Sequence, residues 1–160
     1  MILATVGTQL PFPRLIEALD QLAPRLGEPV IAQTGKTKLK LHNIEQHENL
    51  APRQFDELFK TARTVVAHAG IGTVLAAKKY SKPLILFPRR AAFGEHRNDH
   101  QLATAEQLRR HVGIYVAWTE EELETLLFRD DLAAPEKGAV SPELVKLQTT
   151  LRTFLRGEPV

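Results

Sequence analysis

The sequence predicts an α/β layered domain on a mainly parallel sheet, and three observations carry that prediction. Short, continuous apolar runs recur at 1–6, 29–35, 64–69, 82–88 and 113–118. Strands apolar on both faces are buried on both faces, as in parallel sheets. Segments with helical apolar spacing lie between these runs, and Gly or Pro stands at most boundaries. Alternating strands and helices resolve into helix layers on the two sides of one sheet.

The elements follow in order. "MILATV" (1–6) is a strand ended by Gly7. "PFPRLIEALDQLAPRL" places Leu15, Ile16, Leu19 and Leu22 on one helical face, with Pro13 tolerated in the first turn. Pro24 and Gly27 are expected to close this helix. "PVIAQTG" (29–35) is the second strand. In 36–50 Leu39 and Leu41 alternate with lysines, which predicts an edge strand or an extended loop. A short helix at 51–62 turns Phe55, Leu58 and Phe59 inward, and a strand (64–69) and helix (70–80) follow. The strand at 82–88 is bracketed by Pro83 and Pro88, and the polar loop "RRAAFGEHR" leads into a helix across "NDHQLATAEQLRRH". After the strand at 113–118, Thr119 and Glu122 make a capping box. "LAAPEKGAVSP" reads as a linker to a last amphipathic helix carrying Leu144, Leu147, Leu151, Phe154 and Leu155. No repeat, low-complexity tract or second domain is visible.

Composition narrows the function classes. At 160 residues, 43% hydrophobic and 25% charged, the chain suits one globular domain. Its 21 Lys+Arg against 19 Asp+Glu leave a formal charge of +2, dispersed along the chain, so nucleic-acid binding gains no support. The absence of cysteine removes disulfides, thiol catalysis and cysteine-ligated zinc. The start lacks the features of a signal peptide, and no run approaches the ~18–20 apolar residues of a membrane span.

In parallel sheets ligands sit beyond the carboxyl ends of the strands. Gly70 and Gly72, between a strand and a helix, therefore come first. A helix start exposes unpaired N–H groups and attracts an anion, and glycines let backbone approach it closely. Thr73 adds a hydroxyl and His68 an imidazole. The pattern fits a phosphate seat or a plain tight turn. A dinucleotide fingerprint fails, because Leu75 stands where a third small residue is needed. Pro88, Arg89 and Arg90 also replace the acid expected after the next strand. No Gly-Lys-Ser/Thr is present for a Walker loop.

"GEHRNDHQ" (94–101) is the second constellation. Glu95, Asn98, Asp99, His100 and Gln101 suit a polyhydroxylated ligand such as a sugar, or a solvated helix start with Asn98 or Asp99 as N-cap. His96 and His100 stand four apart, but no third metal ligand is evident and no metal is expected. Gly7, Thr8 and Gln9 end the first strand, and Gln33, Thr34 and Gly35 end the second. Arg89 and Arg90 suit a phosphate or a carboxylate, or simple solvation.

Four segments together, "TVGTQ" with "PFPRLIEALD", "VIAQTG", "AHAGIGTVLAAKKYSKPLILFPR" and "GEHRNDHQLATA", closely resemble the C-terminal, donor-binding half of family 28 glycosyltransferases. The resemblance runs from about Met1 to Trp118, with 119–160 as C-terminal helices of the same single domain. It is closest to short single-domain PssE/EpsF-type subunits of bacterial exopolysaccharide assembly. It implies a Rossmann-like half of the GT-B fold that binds a UDP-sugar without a metal or other cofactor. By the resemblance, Gly70, Ile71, Gly72 and Thr73 hold the diphosphate with His68. Gly7, Thr8 and Gln9 lie near the donor phosphate, and His100 and Gln101 reach the donor sugar's hydroxyls with Asn98 and Asp99 close by. Glu95 is expected to help orient the sugar, and Arg89 is expected among the donor-binding residues. A glutamate that binds ribose in a relative falls on Ala76 here, which puts nucleoside specificity in question.

One such half lacks an acceptor site. The expectation is therefore the donor-binding subunit of a two-chain inverting transferase. It would move a hexose, hexosamine or hexuronic acid from UDP to a lipid-linked acceptor. The partner would be a membrane-anchored subunit resembling the other half, holding this chain at the inner face of the membrane. The competing reading is a non-catalytic nucleotide-sugar-binding subunit that enhances a separate transferase.

Overall fold

The computed structural model describes residues 1–137 together with 142, 146, 149 and 150. The helix expected around Leu144, Leu147, Leu151, Phe154 and Leu155 lies outside the described residues. The strands are β1 (Ile2–Thr5), β2 (Val30–Gln33), β3 (Glu45–His47), β4 (Thr64–Ala67), β5 (Leu84–Leu86) and β6 (Ile114–Val116). The helices are α1 (Pro13–Leu26), α2 (Pro52–Thr61), α3 (Ile71–Tyr80), α4 (His100–Leu108) and α5 (Glu120–Leu127), with a 3₁₀ turn at Ala91–Phe93. All six strands are parallel, in the order β3-β2-β1-β4-β5-β6. The chain is thus one α/β domain with a six-stranded parallel sheet.

The alternation of side chains along each strand explains the uninterrupted apolar runs. Ile2, Ala4 and Val6 enter one core with Val66, Ile85 and Phe87, closed by Leu15, Ile16, Leu19 and Leu22 of α1 and Leu123 and Leu127 of α5. Leu3 enters the other with Val65, Ala67, Leu84 and Leu86, closed by Phe59 of α2, Val74 and Ala77 of α3 and Leu108 of α4. Neighbouring residues serve opposite cores, so the strands are apolar except for the buried Thr5, Gln33 and Thr64.

Three local outcomes refine the sequence reading. Helix α1 does not stop at Pro24 but runs on to Leu26, and Gly27 ends it in the left-handed conformation. A proline inside a helix frees the carbonyl four residues earlier. Here that carbonyl, of Asp20, accepts the Asn43 side-chain amide at 3.0 Å. The Asp20 carboxylate in turn accepts the N–H groups of His42 and Asn43. Of residues 36–50, expected as an edge strand or an extended loop, 36–44 form no strand and Glu45–His47 forms the edge strand. Leu39, Leu41 and Ile44 pack half-buried on the first core. The polar triplet Glu45–His47 pairs to β2 with Gln33 opposite His47.

The capping box at α5 forms in modified shape. Thr119 Oγ1 accepts the Glu122 N–H at 3.2 Å, while the Glu122 carboxylate accepts the N–H of Trp118 rather than that of Thr119.

Candidate functional site

The connections leaving the carboxyl ends of β1, β4 and β5 converge on a cavity of about 260 Å³. Its lining is Val6, Gly7, Thr8, Gln9 and Leu10 after β1, His68 after β4, and Arg89, His96 and Gln101 after β5. Among the sequence-predicted residues, Gly7, Thr8, Gln9, His68, Arg89 and Gln101 are thereby brought together. Gly70, Ile71, Gly72 and Thr73 stand beside it, where α3 begins three residues beyond His68. Asn98 and Asp99 belong to the turn before α4, and His100 is exposed on its first residue.

His68 is the pivot of this arrangement. Its ring lies against two glycines. A Cβ on Gly7 would come within 3.0 Å of Cε1, and one on Gly70 within 2.5 Å of Nε2. Gly7 also has a φ of +74°, so it meets both a spatial and a conformational demand. The Nδ1 atom is buried with no hydrogen-bond partner among the described residues. Burial lowers the imidazole pKa to about 4, aided by the Arg89 guanidinium and His96 and opposed by the Thr5 backbone. At neutral pH the ring is therefore uncharged and keeps one N–H to donate.

This shift makes a pH prediction. An unfolded histidine titrates near 6.5. As pH falls from there toward about 4, the unfolded chain takes up a proton that folded His68 refuses. Stability due to this group is complete above about 6.5 and is lost through that window. Denaturant unfolding at pH 7 and pH 4.5 should show wild type losing on the order of 2 kcal/mol more than His68→Asn between those conditions. Parallel losses in the two proteins would contradict a buried neutral imidazole.

The start of α3 offers the second component. Gly70 occupies the N-cap position in extended conformation (φ −104°, ψ 137°), and no side chain caps the helix. The first-turn N–H groups of a helix have no intrahelical acceptors. A Cβ at Gly70 is excluded by the His68 ring, whereas one built on Gly72 meets no described atom within 4 Å. Only the first of these glycines is explained by packing.

Two residues expected at the donor are engaged within the fold. Arg89 is 2% exposed. Its guanidinium donates to the carbonyls of Val6 and Leu10, each at 2.8 Å, and to that of Pro11, and it lies 4.5 Å from the Phe12 ring centroid. Those bonds commit its fork to shaping the 6–11 loop, although the residue borders the cavity. Glu95 is likewise engaged within the fold. Its carboxylate accepts from Arg14 at 2.6 and 3.0 Å and from the Arg90 N–H at 2.8 Å.

Other polar residues of "GEHRNDHQ" build the turn. Asp99 Oδ1 accepts the Ala91 N–H at 2.9 Å, Asn98 Oδ1 accepts the His100 N–H at 3.1 Å, and Gln101 Oε1 accepts the Arg89 N–H at 3.0 Å. The last bond leaves the Gln101 NH₂ as its group for a ligand. His96, part of the constellation expected to suit a sugar, lines the cavity, and so do Val6 and Leu10, which the sequence did not single out. The His96 Nδ1 accepts the Asn98 N–H at 3.4 Å. No group of three potential metal ligands occurs among the described residues.

After β2, Gln33 and Thr34 serve the sheet edge. Gln33 Oε1 accepts the Leu50 N–H at 3.0 Å, and Thr34 Oγ1 donates to the His47 carbonyl at 3.3 Å. Ala76, where a relative's ribose ligand would fall, is half-buried against the second core.

The sequence matches the glycosyltransferase family 28 C-terminal domain over residues 1–136. The chain belongs to that family. The solution structure of ALG13 superimposes with a TM-score of 0.63 at 18% identity, covering 91% of this chain and 93% of that one. The Streptomyces sp. SF2575 glycosyltransferase SsfS6, complexed with thymidine diphosphate, gives 0.56 at 20% identity. Acinetobacter baumannii MurG gives 0.57 at 20%. These matches cover 99% and 82% of this chain but 37% and 42% of the larger proteins, so it spans about two-fifths of their length. No curated protein matches the chain. The likenesses establish the fold as that of the C-terminal half of GT-B glycosyltransferases.

Proposed function

We propose that this family 28 domain is the donor-binding part of an inverting glycosyltransferase. It would take a hexose, hexosamine or hexuronic acid from a UDP-sugar and pass it to a lipid-linked acceptor in polysaccharide assembly. The observation carrying the reading is the convergence of three groups at one sheet edge. These are the uncapped start of α3, the neutral His68 ring with its unpartnered nitrogen, and the glycine-led 7–9 turn.

As the glycosidic bond to UDP breaks, negative charge grows on the β-phosphate. N–H groups at the start of α3 stabilise that charge without a metal ion, and the His68 N–H adds a neutral donor. The lining offers two imidazoles and no carboxylate, so its chemistry favours this role over metal ligation. The Gln101 amide orients sugar hydroxyls. An acceptor base is a separate requirement. With no carboxylate in the lining and a weakly basic His68, we place that base on a second chain, a membrane-anchored subunit resembling the missing half. This chain then works in the cytoplasm, at the inner face of the membrane. Among the described residues no helix is long and apolar enough to cross a membrane.

Calorimetric titration tests the donor site. UDP should bind the purified chain, and His68→Ala should weaken it about tenfold or more, the loss of one hydrogen bond to a charged group. Unchanged UDP affinity would discard the assignment. The two-chain arrangement predicts little transfer until the partner is added, and robust turnover by the chain alone would remove it. The competing enhancer reading is separated in the reconstituted pair. His68→Ala should abolish most transfer if this chain holds the donor, and leave it intact if the chain only supports another transferase.

A further inference from the structure

The segment after β2 carries a charged stripe that the donor cavity does not use. Lys36, Lys38 and Lys40 are exposed, while the residues between them point inward. Thr37 is 2% exposed and its Oγ1 accepts the Phe12 N–H at 2.8 Å, and Leu39 packs on the first core. A turn closed by the Thr37 N–H to the Thr34 carbonyl at 3.0 Å leads into the segment, and along it exposed Lys36, Lys38 and Lys40 alternate with buried Thr37 and half-buried Leu39. They line a groove of about 620 Å³ with Gln46 and Glu48. None of the three pairs with a carboxylate among the described residues. In a chain of formal charge +2 this is a local concentration, opposed in the groove by Glu48 alone. The stripe adjoins the donor site. A Cβ on Gly35 would come within 2.5 Å of the Gly7 carbonyl oxygen.

We propose that Lys36, Lys38 and Lys40 dock this domain on an anionic phospholipid surface. Lysine suits that partner, because its ammonium is a mobile point charge matched to diffuse headgroups rather than a fork for one fixed phosphate. The groove lining holds no aromatic side chain on which a nucleic-acid base could stack. The inference deepens the reading above only in that a lipid-linked acceptor lies in such a surface, and its test needs no transferase activity. Each lysine near an anionic membrane contributes roughly fivefold to partitioning, so three contribute on the order of 100-fold at low salt.

The test is flotation of the full chain with phosphatidylcholine vesicles, with and without phosphatidylglycerol, at low and high salt. Wild type should float only with the anionic vesicles and be released by salt. K36Q/K38Q/K40Q should bind on the order of 100-fold more weakly. Its melting temperature and UDP affinity should be unchanged, since all three side chains are exposed. If the triple variant does not fold, K38Q alone should lose roughly fivefold. No flotation of wild type at low salt, or undiminished flotation of the variants, overturns the proposal. Loss of UDP binding with vesicle binding intact also overturns it, assigning the lysines to the donor site instead. UDP binding by wild type tests the donor reading separately.

Discussion

Replacing Gly72 with valine should leave the fold intact and abolish most UDP binding. The expectation comes from the contrast between the two glycines at the start of α3. Gly70 is required by its surroundings, because a Cβ there would meet His68 Nε2 at 2.5 Å. Gly72 is required by nothing in the described protein, since a Cβ there meets no atom within 4 Å and the residue is exposed in the first turn. Glycine inside a helix is unfavourable by up to about 1 kcal/mol relative to alanine. On fold grounds alone, then, Gly72→Ala should be neutral or raise the melting temperature by a few degrees. A phosphate brought against the helix N–H groups reverses that preference, because any side chain stands where the anion must approach. Gly72→Val should weaken UDP at least tenfold, and Gly72→Ala less, with both melting no lower than wild type. A valine variant that binds UDP normally would remove the helix start from the site. One that melts several degrees lower would show that the glycine serves the fold.

The parts of this molecule that sequence made legible are those whose physics is local. Strands β1, β4 and β5 are buried on both faces, so Ile2, Leu3 and Ala4, or Leu84, Ile85 and Leu86, could only be apolar. Glycines at the strand ends mark Gly7 and Gly70 for the same reason, a ring or a positive φ that excludes a Cβ. What was not legible depends on distant partners. The polar edge strand Glu45–His47 has no apolar signature, because one of its sides faces solvent. Helix α1 continues past Pro24 since an amide on Asn43 takes the freed carbonyl, a contact spanning 23 residues. Arg89 and Glu95 carried charge into a promising loop, but charge alone does not say what it meets. The Arg89 partners lie 78 to 83 residues earlier, and the Arg14 partner of Glu95 lies 81 residues away. His96 was legible as part of the polar stretch after β5, and it does line the cavity.

Arg89 should prove to be the residue on which the 6–11 loop, and through it the donor cavity, depends for stability. It is among the largest fully buried side chains in the protein, and burial lowers its pKa only to about 10, with Glu95 opposing the shift, so it stays cationic at neutral pH. Removing its fork, as in Arg89→Met, leaves the buried Val6 carbonyl and the part-buried carbonyls of Leu10 and Pro11 without those donors. A buried orphan costs about 1–3 kcal/mol and a part-buried one less, partly offset by no longer burying a charge. A net loss of about 2–4 kcal/mol is expected, which lowers the melting temperature of a domain this size by on the order of 10 °C. Arg89→Lys keeps the charge but cannot present donors to three carbonyls at once, so it should fall between wild type and Arg89→Met. UDP affinity should fall with stability, because Gly7, Thr8 and Gln9 sit in the loop that Arg89 holds. Thermal melts and titrations on the same preparations decide the matter. If Arg89→Met melts like wild type yet no longer binds UDP, the guanidinium contacts the nucleotide after all and the loop stands without it.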